Sequence, residues 1–154
     1  MRTLVAYFSA GGTTARYAEA LARALGADLF EIVPETPYTA ADIRWTNPLA
    51  RCNREKIGRK DVPVRGSVRD WDGYDTVCLG FPIWYYGAPN VVATFCKGLD
   101  WAGKKVMLFA TSGGSDIGKT AEKLRPCLRG EPEIVSAGVY HSIGDLEAEA
   151  GALL

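Results

Sequence analysis

Val5-Ala6-Tyr7-Phe8-Ser9-Ala10-Gly11-Gly12-Thr13-Thr14 is the stretch on which the reading of the whole chain turns. An apolar run over Thr3–Phe8 passes straight into a loop of small and hydroxyl-bearing residues, and an amphipathic segment starts immediately behind it. Such a run fits a short buried strand, and the segment behind it fits a helix. Between the two, glycines let the backbone bend close to an anion, successive N–H groups can converge on it, and the helix N-terminus adds its positive dipole end. Ser9–Thr14 contains no Lys or Arg. An anion held there is held by amides and hydroxyls, which suits the phosphate of a tightly fitted small molecule better than a polyanion. The same residues also fit a plain strand-to-helix turn with hydroxyl caps, so the choice between the two readings falls to the rest of the chain.

Four further apolar runs follow, at Ala27–Val33, Thr76–Phe81, Lys104–Ala110 and Glu133–Tyr140. None alternates apolar and polar residues as a half-exposed strand does, and the pattern predicts parallel strands covered on both faces. Helix-length segments lie between them. Ala18, Leu21, Ala22 and Leu25 make a narrow face of mostly small residues that ends at Gly26. Pro89 is placed in the first turn of a second helix whose stripe is Val91, Val92, Phe95 and Leu99. Ser115–Leu128 reads as a third helix, weakened near Pro126, and Asp145–Leu154 as a short terminal one. Strand and helix alternating in this way predict right-handed crossovers and a three-layer α/β sandwich around a five-stranded parallel sheet, order 2-1-3-4-5. A single domain over residues 1–154 is expected. Residues 36–68 interrupt it as an irregular basic insert carrying Arg44, Arg51, Arg54, Lys56, Arg59, Lys60 and Arg65, broken by Pro37, Pro48 and Pro63. Thr39–Ile57 has room for one helix, although Pro48 favours two pieces.

Composition narrows the function classes. Of the 154 residues, 47% are apolar and 23% charged, and 18 basic residues balance 18 acidic ones. That balance gives no field to draw the chain to nucleic acid, and no apolar run approaches the length of a membrane helix. With a strand beginning right after Met1-Arg2, no signal peptide is expected and a cytoplasmic location is. Cys52, Cys78, Cys96 and Cys127 show no metal-ligand spacing, and reduced, buried thiols are expected.

In a doubly wound sheet the ligand lies beyond the carboxyl ends of the strands, at the switch point of strand order. Three loops meet that edge. They are Ser9–Thr14, then Pro82-Ile83-Trp84-Tyr85-Tyr86-Gly87-Ala88-Pro89, then Thr111-Ser112-Gly113-Gly114-Ser115-Asp116-Ile117-Gly118. The first offers amides for an anion, the second three consecutive aromatics that cannot all face one core, and the third small residues that admit a flat ring. Together they outline a site for FMN.

These three loops carry a resemblance to the flavodoxin family, and more narrowly to its short-chain flavodoxin-like branch. In that branch the first strand reads like vaYFSxxGtT, the third ends like lGfPIWyyxaP, and the fourth ends like TSGGSxiG. The resemblance covers nearly the whole chain. It implies non-covalent FMN with its phosphate on the loop of Ser9, Gly11, Gly12, Thr13 and Thr14. It places the ring between Pro82, Ile83, Trp84, Tyr85 and Gly87 on one side and Thr111, Ser112, Gly113, Gly114 and Ser115 on the other. The function implied is electron transfer through the flavin, with a redox partner protein or a small-molecule acceptor. Electron-shuttling members of the family are usually strongly acidic. The neutral balance of this chain points instead toward a dedicated partner, or toward a small FMN-dependent reductase acting directly on a substrate.

Other features compete for attention. Gly113-Gly114-Ser115-Asp116-Ile117-Gly118-Lys119-Thr120 is a literal match to the P-loop pattern of NTPases. Too little chain follows it, and the one remaining strand ends without an Asp for Mg²⁺. A phosphoacceptor domain would need clustered Asp residues at early strand ends, and a low-molecular-weight phosphatase would need a Cys in the first loop. Neither is present. His141, the single histidine, is expected to be a satisfied structural imidazole, Asp116 a helix N-terminal acid, and the basic insert a solvated face.

Overall fold

Successive residues of a strand face opposite sides of a sheet, and in the first strand both sides are apolar. β1 (Thr3–Tyr7) sends Leu4 and Ala6 into one buried cluster and Val5 and Tyr7 into another. The same division recurs in β5 (Thr76–Pro82) and β6 (Lys105–Thr111). Val77, Leu79, Phe81, Val106 and Leu108 face the first cluster, and Cys78, Met107 and Phe109 face the second. The computed structural model describes residues 2–34, 64–83, 88–111, 117 and 120–154. Within them, five parallel strands run in the order β2 (Asp28–Glu31), β1, β5, β6, β7 (Glu133–Val139), which is the order expected from the apolar runs.

Helices cover both faces. α1 (Thr13–Leu25) and α4 (Ile143–Leu153) close the second cluster with Tyr17, Ala18, Leu21, Ala22, Leu146 and Ala150. α2 (Asn90–Lys97) closes the first with Val91, Val92, Phe95 and Cys96, joined by Leu124 from the short α3 (Thr120–Leu124). Each fully buried aliphatic or aromatic side chain contributes about 1.5–3 kcal/mol by leaving water. The small residues of α1 let that helix approach the sheet closely.

The structure departs from the sequence expectations at several ends. The central strands are buried on both faces, but β2 is mostly exposed and β7 is half-buried along nearly its whole length. Edge strands have a neighbour on one side only, and the helix beside β7 is just five residues long. That helix was expected to run from Ser115 to Leu128. Instead it is followed by a 3₁₀ turn at Arg125–Cys127, because Pro126 has no N–H for an α-helical bond and fits the tighter turn. Pro89 is the N-cap of α2 rather than a first-turn residue, and the helix stops at Lys97, two residues before Leu99. α4 starts earlier than expected, since Ser142 Oγ accepts the Asp145 N–H at 3.1 Å and so caps it. The run read as Ala27–Val33 divides in two. Asp28–Glu31 joins the main sheet, while β3 (Val33–Pro34) pairs antiparallel with β4 (Val64–Arg65). This small ladder draws together the two ends of the insert, most of which, residues 35–63, lies outside the described residues along with Cys52.

At the amino ends of the strands, buried Lys104 donates from Nζ to the carbonyls of Trp71 (3.0 Å) and Tyr74, and lies over the Trp71 ring at 4.8 Å. The Tyr74 hydroxyl donates to Asp28 Oδ2 at 2.7 Å, and this bond chiefly holds the Asp28 carboxyl below its usual range. This end of the sheet is thereby fastened by polar bonds, and the opposite end is left to the three loops.

Gly80 marks the tightest packing in the sheet. It pairs with Phe109 on the neighbouring strand, and a Cβ at Gly80 would overlap the Phe109 ring. Gly80→Ala is expected to destabilise the fold by about 1–3 kcal/mol in a chemical denaturation curve, with part of the loss recovered by adding Phe109→Leu.

Cys78, Cys96 and Cys127 are free, and the first two are buried. Burial pushes the Cys78 thiol from 9.0 up to about 12, and burial with a smaller effect of Cys127 raises Cys96 as well. Both thiols therefore stay protonated in the folded chain where those of the unfolded chain ionise. The stability this represents is complete below about pH 9 and is lost as the pH climbs toward about 12. At pH 8 an aromatic disulfide reagent should leave Cys78 and Cys96 unmodified in the native protein and label both after unfolding, as read by mass spectrometry of the peptides.

Candidate functional site

The switch point of strand order falls between β1, whose other neighbour is the edge strand β2, and β5, which leads to β6 and β7. The loop after β1 opens there. Phe8 N–H still donates to Gly80 O at 2.9 Å, and beyond it Ser9 and Ala10 are half-buried while Gly11, Gly12 and Thr13 are exposed. Gly12 adopts φ 93° and ψ −16° as the N-cap of α1, with no side chain closing the first turn. The N–H groups of that turn have no partner within the helix and point out of its end. A Cβ at Gly11 or Gly12 would meet nothing within 4 Å, so the space over the loop is open.

Two hydroxyls belong to the loop and the first helical turn behind it. Ser9 Oγ accepts the Gly12 N–H at 3.1 Å, which leaves the Ser9 proton to donate elsewhere. Thr14 is 2% exposed, and its Oγ1 lies 2.8 Å from Thr111 Oγ1 at the carboxyl end of β6. Thr111 is equally enclosed, and its carbonyl accepts the Ile83 N–H at 3.0 Å. Pro82 lies opposite Thr111 in the β5–β6 register. One threonine thus joins all three loops at a single edge of the sheet, as the strand order requires. Open space, amides at a helix start, hydroxyl protons and the lack of any cation in the loop are the donor set that a phosphate monoester fits.

A cleft of about 100 Å³ opens on the other side of Ser9, lined by Phe8, Ser9, Ala10, Glu31, Ile32, Val33 and Pro34. The Glu31 carboxylate disfavours an anion in that cleft.

Of the expected site residues, the structure brings together Ser9, Gly11, Gly12, Thr13, Thr14, Pro82, Ile83 and Thr111. Trp84, Tyr85 and Gly87 lie outside the described residues, as do Ser112, Gly113, Gly114 and Ser115, and with them Tyr86 and Asp116. His141 is exposed in the turn between β7 and α4, where solvent can satisfy the imidazole. The P-loop pattern also loses its key hydroxyl. Thr120 is fully buried and donates from Oγ1 to Ile117 O, so that oxygen does not face a nucleotide-bound metal. The Thr14–Thr111 contact had no signal of its own in the sequence, since the two residues are separated by 97 positions and meet only once β1, β5 and β6 are in register. Among the described residues no cluster of His, Cys, Asp or Glu could hold a metal, and no helix is long and apolar enough to cross a membrane.

Comparison with known proteins agrees with this geometry. The family model for flavodoxin matches residues 2–138, and the chain belongs to the flavodoxin family. Among solved structures it is similar to a candidate flavoprotein from Bacteroides eggerthii, at 37% identity and a TM-score of 0.88, covering 99% of this chain and 97% of that one. A second candidate flavoprotein, from Bacteroides uniformis, matches at 35% identity and a TM-score of 0.88, with 97% of each chain covered. A flavoprotein from Lactobacillus acidophilus solved in complex with FMN shares the fold at 21% identity and a TM-score of 0.72, over 96% of this chain and 98% of that one. No curated protein matches the sequence.

The loop conformation separates its two glycines. Gly12→Ala places a Cβ at a left-handed φ and should lower stability by about 1–2 kcal/mol, whereas Gly11→Ala, with no positive φ and open space around it, should be near neutral. Parallel thermal or urea unfolding of the two variants tests this.

Proposed function

We propose that this chain is an FMN-binding electron-transfer protein. The observation that carries the reading is the loop at the β1–β5 switch point, where open space over Gly11 and Gly12 adjoins Ser9, the first turn of α1 and, behind it, the Thr14–Thr111 pair. FMN, when bound, supplies the redox chemistry, taking up and releasing one or two electrons. The chain's own part is to bind and orient. Ser9 and Thr14 present hydroxyl protons, and the first-turn amides of α1 present N–H groups, to the phosphate. Pro82, Ile83 and Thr111 fix the roots of the two loops assigned to the ring, which run through Trp84, Tyr85 and Gly87 and through Ser112–Ser115. With no cation in Ser9–Thr14, binding depends on directed hydrogen bonds, so FMN is favoured over riboflavin by the phosphate contacts themselves.

A second reading, a small FMN-dependent reductase acting directly on a substrate, is favoured by the even balance of 18 basic and 18 acidic residues. An NADH:FMN oxidoreductase shares the fold at 20% identity and a TM-score of 0.55. Steady-state reduction of the bound flavin separates the two. Fast reduction by a nicotinamide cofactor alone marks the reductase, and reduction only through an added protein donor marks the carrier.

FMN titration followed by flavin fluorescence tests the common ground. Ser9→Ala and Thr14→Ala should each weaken FMN binding by about 1–3 kcal/mol, the scale of a hydrogen bond to a charged group. Folded protein that takes up no FMN overturns the proposal.

A further inference from the structure

Thr14 and Thr111 together hold one more hydroxyl proton than the described residues use. A threonine hydroxyl has one proton to donate and two lone pairs to accept with. At 2.8 Å one hydroxyl donates to the other, which settles a single proton of the two. Among the described residues neither hydroxyl has a second partner, and the pair is buried, with exposures of 2% and 5%. A buried hydroxyl proton without an acceptor is costly, so the pair is built to meet an acceptor that the described residues do not supply.

The surroundings indicate which proton is left over. Thr14 is the second residue of α1, beside the unpartnered N–H groups of its first turn and within the loop that holds Ser9. Thr111 ends a strand, with its carbonyl already engaged by the Ile83 N–H. If Thr111 donates, the Thr14 proton joins the other donors of the cradle and all of them converge on one anion. If Thr14 donates, it withdraws from that set and the cradle loses a donor from its buried wall.

We infer that Thr111 is a positioning residue for phosphate recognition: it donates to Thr14 Oγ1 and so commits the Thr14 proton to the phosphate monoester of the cofactor. This rests on FMN binding as proposed above. Thr111 thereby acts on the phosphate, although it stands at the root of the loop assigned to the ring. It gives the protein a means of telling FMN from riboflavin without a positive charge.

Binding of FMN and riboflavin to the wild type, Thr111→Val, Thr111→Ser, Thr14→Val and the double variant tests the inference, with flavin fluorescence quenching as the readout. Thr111→Val keeps the shape and removes the hydroxyl. It should weaken FMN about 5- to 30-fold, the range expected for misdirecting one hydrogen bond to a charged group, and riboflavin, which lacks the phosphate, markedly less. Thr111→Ser should restore FMN binding. The double variant should bind FMN no more weakly than Thr14→Val alone, because Thr111 works through Thr14. Equal losses for FMN and riboflavin, unchanged FMN binding in Thr111→Val, or additive losses in the double variant would each overturn it. A wild type that binds neither flavin would instead defeat the functional proposal, so the two failures are distinguishable.

Discussion

Everything at the carboxyl edge of the sheet depends on where the last residue of β6 is held. Thr111 is gripped by Ile83 through its backbone carbonyl and by Thr14 through its side chain, so three loops distant in sequence share one fixed point. Neither bond is strong by itself, since a hydrogen bond nets about 0.5–1.5 kcal/mol. Their effect is geometric. They set the distance between the start of α1, the proposed anion site, and the strand ends that carry the remaining loops. A binding site assembled from loops becomes specific only when its parts keep such a distance.

That fixed point is reliable because the sheet beneath it is rigid. β1, β5 and β6 are buried on both faces, and the register between β5 and β6 runs unbroken from Thr76 and Lys105 to Pro82 and Thr111. A slip of one residue would exchange the two apolar clusters and push Phe109 away from the gap that Gly80 leaves for it. Packing on the faces and hydrogen bonding at the edge thus enforce the same alignment. The opposite end is fastened by different means, with the Lys104 ammonium shared between two carbonyls and a tyrosine hydroxyl on Asp28.

Much of this was legible in the sequence. The apolar runs mark the central strands, because parallel strands buried on both faces leave continuous apolar stretches. The loop from Ser9 to Thr14 is readable as an anion site only beside the other two loops, since its residues alone also fit a capped strand-to-helix turn. What escaped notice had weaker local signals or none. Two-residue strands such as Val33–Pro34 and Val64–Arg65 are too short to show periodicity. The half-exposure of β7 reflects its place at the edge of the sheet rather than its composition. Ser142 does carry a local signal, since a serine three residues before an acid, ahead of an apolar stretch, is a standard helix start.

The small ladder of Val33–Pro34 on Val64–Arg65 stands apart from the main sheet. By pinching the two ends of the intervening segment together, it meets the entropic cost of closing that loop outside the main sheet. Doubling the length of a loop so closed costs only about 0.6 kcal/mol more. The two ends of the segment thus enter and leave the fold at one place, apart from the parallel strands and the bonds that join their far ends.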